Sequence, residues 1–202
     1  MHQLCSQPHR LRDLFGDSTN VAVISNALDF SLDLTRRAES LALELDRLSD
    51  LGLKPAEVDL REFFNSETAS RNALGHFDGV WVVGGNAFIL RRAMRYSRFD
   101  KLIWEKEREH EAFVYAGYSA GACVLAPSLK GIDLVDPPGQ VPEGYESEVI
   151  WEGLGVLPYS IAPHFDSDHP ESSQINDVVE YFGQHGIPYQ ALRDGESIVV
   201  SP

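Results

Sequence analysis

At 202 residues with 43% hydrophobic side chains, the chain can bury a substantial core and matches the size of one α/β domain, which excludes global disorder. Its 17 Lys plus Arg against 31 Asp plus Glu leave a formal charge of −14, so neither nucleic acid nor a membrane surface is expected as a partner. Two distant cysteines, Cys5 and Cys123, no apolar run of about 18 residues, and a start (Met1-His2-Gln3-Leu4-Cys5-Ser6) without a basic-then-apolar leader point to the cytoplasm.

In chain order, an amphipathic start around Leu11-Arg12-Asp13-Leu14-Phe15 precedes Asn20-Val21-Ala22-Val23-Ile24-Ser25, a short β-branched run of the kind buried on both faces of a sheet. Leu32, Leu34, Ala38, Leu41, Leu45 and Leu48 recur near helical spacing across 31–51, and Gly52 supplies a stop. A weaker strand is expected at Val58-Asp59-Leu60-Arg61, a short helix at 66–74, and a strand at Val80-Trp81-Val82-Val83 that ends in Gly84-Gly85. Helical spacing returns over 88–96 and 99–108, followed by the apolar strand Ala112-Phe113-Val114-Tyr115-Ala116. Alternation of this kind predicts a three-layer α/β/α sandwich around a mostly parallel sheet, with functional groups on loops at the carboxyl ends of strands. The Pro-, Gly- and acid-rich stretch 131–155 reads as an irregular excursion, either a lid or an idle loop, and no composition break divides the single domain expected over 1–202.

Gly117-Tyr118-Ser119-Ala120-Gly121 fits G-x-S-x-G between an apolar strand and the helix-like Ala122-Cys123-Val124-Leu125. A serine in so sharp a strand-to-helix turn is lifted off the backbone, its small neighbours avoid a clash, and the Ala120 N–H can face a developing oxyanion. Ser119 is therefore the expected nucleophile.

With Val82-Val83-Gly84-Gly85-Asn86-Ala87-Phe88, Ala162-Pro163-His164-Phe165 and Leu192-Arg193-Asp194-Gly195 in the same order, the chain from about Val21 through Val200 resembles the peptidase E family of serine peptidases. That family includes aspartyl dipeptidases and has cyanophycinases as more distant relatives. The resemblance implies a flavodoxin-like fold related to class I glutamine amidotransferases, with serine in place of their elbow cysteine, and it implies no cofactor.

A serine hydroxyl needs an imidazole to take its proton and a carboxylate to hold that imidazole in the useful tautomer. Among seven histidines, His164 is favoured because it follows the strand-like Tyr159-Ser160-Ile161-Ala162-Pro163 and matches the family's Pro-His-Phe, with His169 in reserve. For the acid, the resemblance points to Asp194. Asp194-Gly195 also reads as a hairpin turn between Tyr189-Gln190-Ala191-Leu192 and Ser197-Ile198-Val199-Val200, and an α/β-hydrolase order would use Asp133 or Asp136 instead. Gly85 is the second expected oxyanion donor, since its turn ends a strand that should neighbour the elbow; a nucleotide loop would need the P-loop lysine that Gly84-Gly85-Asn86 lacks. His164-Phe165-Asp166-Ser167-Asp168-His169 is rich in metal-type side chains, but without a zinc-protease helix or a cysteine pair it reads as a solvated turn, and no metal is assigned. Cys123, four residues after Ser119, is expected to be a buried packing residue.

Together these features predict a serine-type peptidase, an exo- or dipeptidase that hydrolyses short peptides through an acyl-enzyme on Ser119; a homodimer is compatible with the sequence. A catalytically silent flavodoxin-like binding protein and an α/β-hydrolase-type esterase or amidase remain the alternatives. Aspartate-specific relatives place an arginine on the helix after the catalytic histidine, whereas residues 171–185 contain no Arg or Lys, and the nearest candidates beyond the glycine turn are Arg91, Arg92 and Arg95. The first strand of the family, expected near Leu4-Cys5-Ser6, looks abbreviated, and the sequence stops at Pro202, where relatives continue with further strand.

Overall fold

Strand β1, Asn20–Ile24, turns Val21 and Val23 to one face of a sheet and Ala22 and Ile24 to the other, and all four are fully buried. A strand with two buried faces needs helices on both, and the surrounding elements supply them. The computed structural model describes residues 8–31, 33–109 and 113–200; Leu4-Cys5-Ser6, Leu32 and Ala112, each part of an expectation above, lie outside them.

The central sheet is parallel throughout, in the order β2-β1-β3-β4, with β2 at Lys54–Glu57, β3 at Gly79–Val82 and β4 at Val114–Gly117. On the face of Val21, Val23 and Trp81 lie helices α1 (Pro8–Phe15) and α2 (Leu34–Asp50), which bury Leu11, Phe15, Leu41 and Leu48. The face of Ala22, Ile24, Val80 and Val82 is covered by α4 (Ala87–Tyr96), α5 (Phe99–Arg108) and, beyond the sheet, α7 (Ser172–Gln184); α3 (Glu67–Leu74) contributes Leu74. This is the expected three-layer α/β/α arrangement. A separate parallel pair, β5 (Ser160–Ala162) and β6 (Tyr189–Ala191), follows the long excursion.

Two strand expectations are corrected. The pairing at the sheet edge lies at Lys54–Glu57, earlier than Val58–Arg61: Pro55 is tolerated because β2 is an edge strand, and the Asp59 side chain accepts from the Arg61 N–H at 3.0 Å to start a 3-10 turn at Leu60–Phe63. The hairpin reading of Asp194-Gly195 also fails. Tyr189–Ala191 pairs in parallel with β5, and residues 197–200 form no strand, because the chain at 193–194 is drawn toward the β5 loop by side-chain bonds described below.

The stretch 131–155 is irregular, as expected, but tied down. Arg92 donates to the carbonyls of Glu148 (2.7 Å), Gln140 (3.2 Å) and Pro138 (2.7 Å), and Arg91 to that of Glu152 (2.8 Å). Asn86, which caps α4 by accepting from the Phe88 and Ile89 N–H groups, donates from its amide to the Pro137 carbonyl at 3.1 Å.

Candidate active site

The chain passes from β4 into the short helix α6 (Ala120–Cys123) through two residues, Tyr118 and Ser119, the second at φ 49° and ψ −119°. A non-glycine residue rarely occupies this region, and strain of that kind is typical of a nucleophile turn. Close packing forces it. A Cβ on Gly121 would stand 2.4 Å from the Val82 carbonyl oxygen, so only glycine lets α6 start against the end of β3. The neighbouring turn after β3 is equally constrained: Gly85 has φ 140°, and a Cβ there would meet the Ala27 carbonyl oxygen at 2.4 Å.

Both turns open into a cavity of about 1660 Å³ that runs along β4 and has Gly84, Gly85, Ser119, His164, His169 and Asp194 on its wall. Among the described residues, the backbone N–H groups of Gly85 and Ala120 have no hydrogen-bond acceptor, whereas the next two amides of the elbow, those of Gly121 and Ala122, bond to Tyr118 and Ser119 carbonyls. Two unbonded donors and a hydroxyl on two turns that open into one cavity are groups of the kind that can receive a negatively charged oxygen.

His164 leaves β5 at φ 60°, and its Nδ1 lies 2.6 Å from Oδ1 of Asp194. Register explains the meeting. Ala162 pairs with Ala191, the ladder continues as Leu192 N–H to Ala162 O and Phe165 N–H to Leu192 O, both at 2.9 Å, and the two loops therefore leave side by side. Ser167 clips them together: its hydroxyl accepts the Asp194 N–H at 2.8 Å and donates to the Phe165 carbonyl at 3.0 Å. Arg193 adds an ion pair with Asp166. With Asp194 accepting the Nδ1 proton, Nε2 of His164 is left as the basic nitrogen. The Ser119 hydroxyl and this ring share the cavity without a direct hydrogen bond, and such contacts commonly close only when substrate binds.

The competing acids lie elsewhere. Asp133 is exposed and accepts the Gly131 N–H at 2.8 Å, and Asp136 accepts the Ala87 N–H at 2.8 Å, at the start of α4. Enclosure by protein pushes Asp136 up to about 7, against the pull of the Ala87 N–H, with Glu171 adding to the rise. Neither touches His164, so the α/β-hydrolase arrangement is not formed. Arg91 and Arg92 are also removed as substrate-facing cations: both are buried, Arg91 on Asp100 at 3.0 Å and Arg92 on the carbonyls named above, while Arg95 lies 3.9 Å from Asp100. Cys123 is buried as expected, with Sγ 3.6 Å from the Ile161 carbonyl oxygen, and burial pushes its thiol above the usual range.

Sequence reasoning missed the Ser167 clip and the position of His169, whose ring stacks on that of His164 with centroids 3.7 Å apart. The spacing of the two histidines was visible; nothing in it signalled a stack. Ligand-type atoms of His164, His169 and Glu171 lie within 4.8 Å of one another. Nδ1 of each ring is already engaged, with Asp194 for His164 and with the Glu171 N–H for His169.

A sequence model of peptidase family S51 matches residues 11–202. The chain belongs to peptidase family S51. A relative assigned as an alpha-aspartyl dipeptidase in Drosophila melanogaster is 26% identical over 147 residues, covering 69% of this S51 chain and 56% of that protein. Peptidase E of Streptomyces coelicolor is 28% identical over 130 residues, 60% of this chain and 48% of that one. The matches thus span about half the length of these curated relatives. A solved structure assigned as a peptidase E, from Listeria monocytogenes EGD-e, superposes with a TM-score of 0.67 at 22% identity, covering 93% of this chain and 85% of that one. It shares the fold of the S51 chain. Among the described residues, no helix is long and apolar enough to cross a membrane.

Proposed function

We propose that this S51 chain is a serine peptidase that cleaves short peptides through an acyl-enzyme. Ser119 Oγ attacks the carbonyl carbon of the scissile bond while Nε2 of His164 takes its proton; Asp194 holds the ring and balances the charge that develops on it; the N–H groups of Gly85 and Ala120 receive the oxyanion. The tetrahedral intermediate collapses as His164 passes the proton to the leaving amine, the C–N bond breaks, and the acyl group stays on Ser119. Water then attacks the ester, giving its proton to His164, which returns it to Ser119 as the acid product leaves. One observation carries the reading: the 2.6 Å bond between His164 and Asp194 faces the cavity into which the strained Ser119 turn opens.

A fluorophosphonate probe tests it. The wild-type chain should be labelled at residue 119, and Ser119→Ala should abolish labelling and lower peptide turnover by about four to six orders of magnitude. Reproducible failure of the folded wild-type protein to label would overturn the proposal.

A further inference from the structure

His169 takes no part in the proton path above, yet its ring lies flat against that of His164, the planes within 8° of parallel. Both histidines belong to one loop. The chain leaves β5 with His164 at φ 60°, turns again at Asp166 (φ 44°), and brings His169 back over the ring it left. The Glu171 N–H donates to Nδ1 of His169 at 3.2 Å, and Oε2 of the Glu171 side chain lies 4.0 Å from the same nitrogen. These two contacts ask for opposite states, because only an unprotonated Nδ1 accepts an N–H, whereas the carboxylate would favour a cation. The shorter, directional bond is the one from the Glu171 N–H, and it requires an Nδ1 that carries no proton.

A neutral aromatic face is a good neighbour for a cation. The ring of His164 becomes an imidazolium only after it has taken the proton of Ser119, so a contact that favours the cation stabilises the transition state more than the resting enzyme. We infer that His169 is a positioning residue for acyl transfer: its neutral ring fixes the plane of His164 and favours the imidazolium formed there. The role rests on the peptidase reading above. His169 exchanges no proton in it; the proton travels from Ser119 to His164 to the leaving amine.

Charged groups near the pair come from both flanking elements. Asp194, Arg193 and Glu196 follow β6, with Arg193 paired to Asp166, while Asp168 and Glu171 precede α7. All are retained when position 169 alone is changed, and His169→Leu and His169→Phe both lack the Nδ1 that accepts the Glu171 N–H, so the difference between these two variants reports the aromatic face.

The test compares the unaltered enzyme with His169→Leu, which removes the aromatic face, and His169→Phe, which restores one. Leucine should lower kcat about tenfold with KM nearly unchanged, and should move the acidic limb of the kcat/KM profile about half a unit to lower pH, since an imidazolium without its neutral platform gives up its proton more readily. Phenylalanine should recover most of both effects. In the unaltered protein the ring protons of His164 should resonate upfield of exposed histidines, a ring-current signature that needs no variant. Ordinary shifts for those protons would overturn the stack, and leucine kinetics equal to wild type, or phenylalanine no better than leucine, would overturn its role. A chain that never labels with fluorophosphonate would remove the peptidase reading and this role with it, whereas a labelled enzyme indifferent to residue 169 would remove only the role of His169.

Discussion

The turn that carries Ser119 and the loops that carry His164 and Asp194 are held by different forces. Ser119 follows a strand of a four-stranded sheet and is set by contact with the end of β3, where the Val82 carbonyl leaves room for nothing larger than Gly121. The other two residues leave a two-stranded sheet whose second strand is mostly exposed, and what aligns them is a short series of bonds between loops. Packing resists substitution of polar atoms and is intolerant of added volume; a laced pair of loops has the opposite weakness. The Ser119 turn should therefore withstand polar changes that disrupt the His164–Asp194 pair.

Asp194→Asn provides the harshest test of that contrast. The amide can hold the ring but favours the wrong tautomer, so kcat should fall about 10³- to 10⁴-fold while the melting temperature stays near that of wild type, as steady-state kinetics and calorimetry would show. Comparable loss of stability would mean that the loops are fixed by more than their bonds.

On the side of the nucleophile, Asp136 supplies a pH-dependent contrast. Its carboxyl is raised from 3.8 to about 7 in the folded protein, so the folded state binds its proton more tightly than the unfolded chain does. This contribution favours the fold most below about pH 4, declines as pH rises through 7, and is level above that. Asp136→Asn, which retains an acceptor for the Ala87 N–H, should remove the decline and gain about 2–4 kcal/mol at pH 8 relative to pH 4, read by urea unfolding at the two values. Parallel pH profiles for the two proteins would contradict this account of Asp136.

Ser167→Ala gives the mildest effect. Losing the acceptor of the Asp194 N–H should cost about 1 kcal/mol in the placement of the acid, seen as a threefold to tenfold slower rate of fluorophosphonate labelling with the elbow unchanged. A rate equal to wild type would show that the 2.6 Å bond needs no such support.

How much of this was legible in the sequence follows the same division. The strands around Val21 and Val80, the helix ending near Gly52, the elbow and the glycine turn rest on local pattern, and each lies within a few residues of its expected place. Ser119, Gly85 and Ala120 could be placed because small residues in a turn state their steric reason directly. His164 and Asp194 were named, but their meeting depends on β5 pairing with β6 across an intervening helix, a long-range choice that no short window carries. The same ambiguity let Asp194-Gly195 pass as a hairpin and shifted the edge strand from Lys54–Glu57 to Val58–Arg61. Arg91 and Arg92 misled for a related reason: their charge suggested a substrate, while Arg91 is paired with Asp100 and both arginines donate to carbonyls 46–61 residues away along the chain.

Those carbonyls give the excursion after α6 an internal spine. A guanidinium offers several donors in one plane, and Arg92 distributes them over three carbonyls, of Pro138, Gln140 and Glu148, in chain that has no ladder of its own; an ammonium, a point charge on a flexible stem, could not serve the three at once. Absence of regular secondary structure and freedom to move are thus separate properties in this molecule. Swapping lysine for arginine there, a change that preserves charge and helix propensity, would be felt in the segment 138–148 rather than in the helix that bears it.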